Sequence, residues 1–307
     1  MVTSRAPRIA LGPAHAPTWM RTAIEQGGAE IVDLDRADAL VWGAARDADG
    51  LGRALESNQS LQWVQLPFAG IENFVHLVDS DRLWTCGKGV YAEPVAEMAL
   101  SLMLAGLRGL GSYARRQSWS GPHGRNLQGA RVSILGGGGI TESLVRLLKP
   151  FDCHITVVRQ RVAPMDGVAQ VLTGDQYSHA LLGADVVVLA LALTKETEGI
   201  IGRSELESMS PHTWLINVAR GRHIVTEDLV DALQKQRIGG AALDVTDPEP
   251  LPDDHPLWGL DNCIITPHVG NTPEMAVPLL SERIRLNVRR WIDGDDLLGV
   301  VDVNLGY

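Results

Sequence analysis

The chain has 307 residues, which is enough for about two domains, each with its own hydrophobic core. Hydrophobic residues make up 45% of it and charged residues 21%, a composition typical of globular rather than disordered proteins. Lys and Arg number 27 against 37 Asp and Glu, and the net charge of -10 disfavours a nucleic-acid or an anionic-membrane partner.

The first ninety residues alternate short β-like runs with short helical patterns, which predicts a small α/β domain. The β-like runs are Arg8 to Leu11, Glu30 to Leu34, Ala39 to Trp42, Leu61 to Leu66 and Leu83 to Cys86. One long helix is predicted from Pro94 to about Arg116, because Pro is favoured in a first helical turn and apolar residues recur at helical spacing. A loop from Trp119 to Gln128 then leads into a second domain.

From Arg131 onward, nearly continuous apolar runs alternate with helical patterns, as expected for strands covered by helices on both faces. The six predicted strands are Arg131 to Leu135, His154 to Val158, Asp185 to Leu189, Thr213 to Val218, Gly240 to Leu243 and Cys263 to Thr266. The helical segments are Glu142 to Lys149, Gly174 to Leu182 and Glu227 to Lys235, the last with Thr226 as its N-cap. This order predicts a doubly wound parallel sheet. A final helix from Pro273 toward Trp291 precedes a tail that we expect to complete the small domain.

The apolar stretch from Met98 to Leu107 is shorter than the roughly 20 residues that cross a bilayer, so we expect a buried helix there. Residues 1–10 lack the apolar core of a signal peptide, which predicts a cytoplasmic protein. The cysteines Cys86, Cys153 and Cys263 have no C-x-x-C spacing, and the nine histidines form no H-E-x-x-H motif. We therefore expect reduced thiols and no metal.

A glycine-rich turn follows the first predicted strand of the second domain. Gly136 fits the glycine that makes the tight turn of a dinucleotide site, and Gly138 the one that lets the backbone approach the pyrophosphate. Thr141 stands at the third glycine position, which predicts looser packing of the helix on the strand. A glycine turn without a ligand is the alternative, but the strand before it and the helix after it favour the nucleotide site.

The next predicted strand is followed by Arg159, about 20 residues after the glycine turn, with Arg161 two residues further along. A carboxylate at this point would bind the 2′-hydroxyl of NAD, whereas a guanidinium can bind a 2′-phosphate. The sequence therefore predicts NADP(H) as the preferred cofactor and NAD(H) as the second option. The alternative interpretation is that Arg159 and Arg161 are solvated surface residues without a role in cofactor binding.

Three polar clusters follow predicted strands in the carboxyl half, where ligands bind in open α/β sheets. They are Asn217 to Gly221, Asp244 to Pro250 and Thr266 to Gly270. Together they supply a cation, a carboxylate and an imidazole. Taken singly, each has an ordinary structural explanation: an arginine in a surface turn, a Pro-rich acidic loop, and a histidine bonded to the backbone.

The order and spacing of these motifs resemble the D-isomer-specific 2-hydroxyacid dehydrogenase family over essentially the whole chain. The motifs that carry the resemblance are the glycine turn Gly136 to Thr141, the INVARG segment Ile216 to Gly221, the stretch Leu243 to Trp258 and the TPH triplet Thr266 to His268. The resemblance implies a Rossmann nucleotide domain over residues 94–275. It also implies a smaller flavodoxin-like α/β substrate domain made of residues 1–93 and 276–307.

The resemblance also implies roles for individual residues. Arg220 stands where the family has its substrate-binding arginine, His268 where it has its acid–base histidine, and Glu249 where it has the carboxylate partner of that histidine. The substrate-binding residues implied are Phe68, Ala69, Gly70, Arg220 and His268, the first three in a loop whose amides hold the substrate carboxylate. The cofactor-binding residues implied are Gly136, Gly138, Gly139, Ile140, Arg159, Arg161, Leu191, Thr197, Val218, Ala219 and Asp244.

The implied reaction is hydride transfer between NADPH and the C2 carbonyl of a small 2-oxo acid, while His268 protonates the forming alkoxide. Within the family, the chain resembles the short bacterial glyoxylate/hydroxypyruvate reductases of the A type. Ala192 and Tyr91 replace a proline and an asparagine of the family pattern, which bears on cofactor fit and substrate choice.

The alternatives are another D-2-hydroxyacid or formate-type dehydrogenase and a non-catalytic regulator that senses NADPH. We also expect a homodimer built on residues 94–116, because that segment carries more apolar surface than one domain would cover.

Overall fold

The computed structural model describes residues 7–303, which form two compact units. The first unit contains the described residues up to Tyr91 and those from Thr272 onward, and the second contains Ala92–Asn271. Both boundaries fall a few residues before the positions expected from the sequence. The parts of those expectations that concern residues 1–6 and 304–307 lie outside the described residues.

The first unit contains a five-stranded parallel sheet in the order β2-β1-β3-β4-β5. This is the strand order of flavodoxin-like sheets, as expected. All five predicted strands are confirmed, although β2 and β4 are shorter than the sequence runs. The elements are β1 (Arg8–Gly12), α1 (Thr18–Gly27), β2 (Glu30–Ile31), β3 (Ala39–Trp42), α2 (Ala48–Ser57), β4 (Trp63–Gln65) and β5 (Leu83–Thr85).

The second unit begins with two helices and contains a seven-stranded parallel sheet. Its helices are α3 (Ala92–Leu107), α4 (Leu110–Arg115), α5 (Gly139–Leu148), α6 (Tyr177–Leu181), α7 (Arg203–Ser208) and α8 (Thr226–Gln234). Its strands are β6 (Arg131–Leu135), β7 (His154–Val158), β8 (Gln170–Leu172), β9 (Val186–Leu189), β10 (Trp214–Asn217), β11 (Gly240–Leu243) and β12 (Cys263–Ile265). Their order, β12-β11-β10-β9-β6-β7-β8, is that of a doubly wound nucleotide-binding sheet.

The central strand β9 shows why the sequence runs of this sheet are apolar without alternation. Val187 and Leu189 pack into the hydrophobic core on one face of the sheet, and Val186 and Val188 pack into the core on the other. Successive side chains of a strand point to opposite faces, so a strand covered on both sides must be apolar throughout.

Three details of the predicted elements are wrong. The helix expected from Pro94 to Arg116 is interrupted, because Gly109 has a left-handed φ of 65° that an α-helix cannot contain. The sheet has seven strands rather than six, since the three-residue edge strand β8 is too short to produce an apolar run. Thr226 is the first residue of α8 rather than its N-cap, and its hydroxyl donates to the carbonyl oxygen of Asp247 at 2.7 Å.

The last helix, α9 (Pro273–Asp293), belongs to the first unit. It starts at the proline predicted to start it and buries Leu280, Ile284 and Val288 at helical spacing. The fully buried Asn287 joins α9 to the sheet, since its amide nitrogen lies 2.9 Å from Oε1 of Gln65. Within residues 7–303, no helix is both long enough and apolar enough to cross a bilayer.

Candidate active site

The glycine turn joins β6 to α5 where the backbone that follows β9 comes close. Gly136 has φ of 122°, and a Cβ at this position would stand 2.1 Å from the carbonyl oxygen of Ala190. A Cβ on Gly138, by contrast, would have no atom within 4 Å, so the turn is open on that side. Gly139 and Ile140 form the first turn of α5, where unpaired N–H groups and the helix dipole favour an anion.

Thr141 closes the glycine turn from inside the protein. The looser packing expected at this position is not seen, because Thr141 is fully buried. Its hydroxyl donates to the carbonyl oxygen of Gly136 at 2.9 Å. The threonine thus stabilises the turn with a hydrogen bond that glycine could not make.

Arg159 follows β7 and lies against the same turn. Its backbone N–H donates to the carbonyl oxygen of Leu172 at 3.0 Å, which holds the residue in line with the sheet. A Cβ on Gly137 would stand 2.5 Å from Cβ of Arg159 and 3.0 Å from its Nε. The structure therefore brings Arg159 to the turn and explains Gly137, for which the sequence predicts no role. Arg161 is exposed two residues further on.

The loop after β9 contains Leu191 and Thr197, two of the expected cofactor residues. Leu191 is half-buried against the core of the sheet. The Thr197 hydroxyl donates to the carbonyl oxygen of Ala192 and accepts from the backbone N–H of Thr194, each at 2.8 Å. These bonds close the segment 192–197, which we call the Ala192 loop.

A buried asparagine shapes the turn that carries Arg220. The side-chain oxygen of Asn217, at the end of β10, accepts from the backbone N–H of Ala219 at 3.0 Å, and its amide nitrogen donates to the carbonyl oxygen of Arg220 at 2.8 Å. Val218 and Ala219 are buried. Nη1 of Arg220 lies 2.8 Å from the carbonyl oxygen of Ala219. The backbone of Arg220 is thus held by a side chain within its own motif.

Asp244 organises the loop after β12. Its buried carboxylate accepts from the Thr266 hydroxyl at 2.6 Å and from the backbone N–H groups of Val269 at 2.9 Å and Gly270 at 2.8 Å. Asp244 is one of the cofactor-binding residues that the family resemblance implies. In the structure, both of its carboxylate oxygens accept hydrogen bonds from the chain itself, and these bonds surround His268.

His268 and Glu249 form a hydrogen-bonded pair at the surface of the second unit. Nδ1 of His268 lies 2.8 Å from Oε1 of Glu249, and the two side chains are 49% and 40% exposed. His268 has a left-handed φ of 54°, and its backbone N–H donates to the carbonyl oxygen of Asp244 at 2.8 Å. With Nδ1 bonded to a carboxylate, Nε2 is the nitrogen that can exchange a proton with a substrate.

Phe68, Ala69 and Gly70 belong to the first unit. The Phe68 ring is 46% exposed, and the Phe68 carbonyl oxygen accepts from the N–H of Gly87 at 2.9 Å. The Phe68 ring centroid lies 6.5 Å from that of Tyr91. The Tyr91 hydroxyl donates to the carbonyl oxygen of Pro67 at 3.3 Å, and burial raises the pKa of this phenol. Tyr91 therefore supports the Phe68 loop as a neutral, buried ring.

Residues 100–270 match the family model described as "D-isomer specific 2-hydroxyacid dehydrogenase, NAD binding domain". The chain is 39% identical over 301 residues to an uncharacterized protein in the proB 3' region of Corynebacterium melassecola, covering 94% of this chain and 97% of that protein. It is 32% identical to glyoxylate/hydroxypyruvate reductase A of Serratia proteamaculans, covering 70% and 69%.

Among solved structures, the fold matches a D-isomer specific 2-hydroxyacid dehydrogenase from Xanthobacter autotrophicus in complex with NADPH and MES. The TM-score is 0.86 at 24% identity, and the match covers 99% of this chain and 100% of the other. The fold, the family model and the curated relative agree with the resemblance seen in the motifs. The chain belongs to the D-isomer-specific 2-hydroxyacid dehydrogenase family and is an NAD(P)-dependent oxidoreductase.

Proposed function

We propose that this enzyme reduces a small 2-oxo acid of the glyoxylate or hydroxypyruvate kind with NADPH and forms the D-2-hydroxy acid. The observation that carries the proposal is the 2.8 Å pair of His268 and Glu249. This pair lies in the same unit as Arg220. Arg220 follows strand β10, Glu249 follows β11 and His268 follows β12, and these three strands are neighbours in the sheet. Such strand ends form the ligand-binding edge of open α/β sheets.

The proposed roles follow from the chemistry of each side chain. NADPH, when bound, would supply the hydride that C2 of the substrate receives. His268 gives the proton on Nε2 to the C2 oxygen, and Glu249 stabilises the imidazolium through Nδ1. Arg220 binds the substrate carboxylate and polarises the C2 carbonyl.

The preference for NADPH rests on Arg159. Its side chain packs on Gly137 in the turn that binds the pyrophosphate under this proposal. A guanidinium at that place attracts a 2′-phosphate, whereas it has no special affinity for a 2′-hydroxyl. The NADPH in the Xanthobacter structure is consistent with this choice.

A homodimer and a cytoplasmic location are part of the same proposal. The dimer is supported by the apolar character of α3 and by Leu110 of α4, which is 54% exposed. Light scattering at micromolar concentration should give twice the chain mass of 33.2 kDa. A monomer at that concentration would remove the dimer from the proposal.

The proposed activity is tested with glyoxylate, hydroxypyruvate, pyruvate and phenylpyruvate, each with NADPH and with NADH. We expect the highest kcat/KM for glyoxylate or hydroxypyruvate with NADPH, and loss of turnover in His268→Ala with NADPH binding retained. Oxidation of formate without reduction of any 2-oxo acid would favour the formate-type alternative. Binding of NADPH without turnover of any substrate would favour the regulator.

A further inference from the structure

His223 is a fully buried histidine that the proposed reaction does not use. It lies three residues after Arg220, in the short helical turn between β10 and α8. A buried imidazole needs hydrogen-bond partners, because an unpaired ring nitrogen away from water costs free energy. The partners of His223 therefore indicate what the residue does.

Its two ring nitrogens contact two different segments. Nδ1 lies 3.2 Å from the backbone nitrogen of Arg220, and Nε2 lies 3.3 Å from the carbonyl oxygen of Ala192. The neutral ring with its hydrogen on Nε2 satisfies both contacts, since Nδ1 then accepts from Arg220 and Nε2 donates to Ala192. The carbonyl oxygen of Arg220 lies 3.0 Å from the same Nδ1 but accepts from the Asn217 amide at 2.8 Å, so in this tautomer it makes no hydrogen bond to the ring.

The Arg220 backbone is thereby held on two sides. Asn217 donates to its carbonyl oxygen, and His223 accepts from its N–H. At the other end of the ring, the carbonyl oxygen of Ala192 also accepts from Thr197, so the imidazole meets the Ala192 loop at the bond that closes it. One rigid ring therefore spans the distance between this loop and the arginine.

We propose that His223 is a positioning residue that connects the Ala192 loop to the Arg220 turn. This inference rests on the proposed function, in which Arg220 binds the substrate carboxylate and the loop borders the cofactor. Because the ring is rigid and buried, a shift of the loop moves the Arg220 backbone. Cofactor binding at the loop then improves substrate binding at Arg220, and the coupling is reciprocal.

Three substitutions separate the two contacts. His223→Leu removes both hydrogen bonds with little change in volume. His223→Asn keeps an acceptor near the place of Nδ1, and His223→Gln keeps a donor near the place of Nε2. The measured quantities are KM for the 2-oxo acid, kcat, and Kd for NADPH from its fluorescence in the absence of substrate.

We expect His223→Leu to raise KM for the 2-oxo acid by about 10-fold and Kd for NADPH by a smaller factor. At low NADPH concentration, His223→Asn should restore KM for the 2-oxo acid only in part, and its Kd for NADPH should stay raised. His223→Gln should restore Kd and leave KM raised. The control is His154→Leu at the exposed start of β7, which should change none of these constants.

A purely structural role predicts a different result. If His223→Leu lowers only the thermal stability and leaves KM and Kd unchanged, His223 fills space and the proposal is wrong. If that variant does not fold, the Asn and Gln variants decide, and equal constants in these two overturn the proposal. If the wild type reduces no 2-oxo acid, the proposed function fails, while Kd for NADPH in the Asn and Gln variants still tests the contact with Ala192. Absence of NADPH binding in the wild type overturns both proposals.

Discussion

Gly221 lies directly against the backbone of Thr246. A Cβ on Gly221 would stand 2.0 Å from both the carbonyl carbon and the carbonyl oxygen of Thr246, and 2.5 Å from the nitrogen of Asp247. Gly221 follows Arg220, and Thr246 lies three residues before Glu249. The contact between these two backbones therefore fixes the distance between the turn that carries Arg220 and the loop that carries Glu249.

Gly221→Ala should separate the two loops, because the clash is with backbone atoms that no side-chain rotation can relieve. We expect the free energy of unfolding to fall by about 1–3 kcal/mol and kcat/KM to fall by roughly 100-fold. Urea unfolding and steady-state kinetics measure the two effects. Gly259→Ala is the matched control, since a Cβ there has no atom within 4 Å. Equal behaviour of the two variants would contradict the importance of this contact.

Glu249→Gln should leave the enzyme active but slower. The substitution removes the carboxylate that lies 2.8 Å from Nδ1 of His268, so the ring loses the charged partner that orients it. Because both side chains are partly exposed, we expect kcat for reduction to fall by about 5-fold, with Kd for NADPH unchanged. Steady-state kinetics and fluorescence titration measure the two constants.

Asp253→Asn is the control for Glu249→Gln, because Asp253 is an exposed carboxylate in the same loop. It removes the same charge and should leave kcat unchanged. An unaltered kcat in Glu249→Gln would exclude Glu249 from the proposed mechanism.

Arg159→Asp should lower the ratio of kcat/KM for NADPH to that for NADH by roughly 10- to 100-fold, as loss of one charge-assisted hydrogen bond implies. The effect should shrink with added salt, since the attraction to the phosphate is electrostatic.

Gly137→Ala should also lower the ratio, because the new Cβ would push the Arg159 side chain from its place. Arg237→Asp makes the same charge change at an exposed arginine after α8 and should leave the ratio alone. A wild type that prefers NADH would rule out the proposed role.

Thr141→Val should weaken NADPH binding, because Gly136 loses the hydroxyl that fixes its carbonyl oxygen. The free energy of unfolding should fall by about 1–2 kcal/mol, since a buried hydrogen bond is lost at almost constant volume. Thr141→Ser keeps the hydroxyl, so its Kd for NADPH should stay near that of the wild type. Fluorescence titration and urea unfolding distinguish the variants, and equal Kd values for Val and Ser would show that the hydroxyl is not needed.

Cys153 should react slowly with iodoacetamide in the folded protein. Partial burial raises the pKa of its thiol to about 11, so at pH 8 only about one molecule in a thousand carries the reactive thiolate. The labelling rate should rise about tenfold for each pH unit below that value. Cys86 and Cys263 are buried, and burial also raises the pKa of both thiols. Mass spectrometry should find them unlabelled until urea is added; fast labelling at neutral pH would contradict this account.

The sequence alone determined every strand except β8, the class of strand order and the motifs. This was possible because a parallel sheet covered on both faces needs apolar residues at every position of a strand, as β9 shows, and that requirement is local. The glycine turn and the polar clusters after β10, β11 and β12 could be recognised in the sequence for a similar reason. Their residue types and spacing are set by a turn of a few residues.

Only the tertiary structure decided which residues support those motifs. Gly137 lies against Arg159, Gly221 against Thr246, and His223 against Ala192, all across some 20 to 30 residues of chain. The break at Gly109 belongs here too, since a Cβ there would stand 2.3 Å from Nε2 of His123. No local pattern reports such an approach, because it depends on how neighbouring strands and loops pack. The sequence gives the residue type of Gly137, Gly221 and His223 but not the atoms that lie beside them in the folded chain.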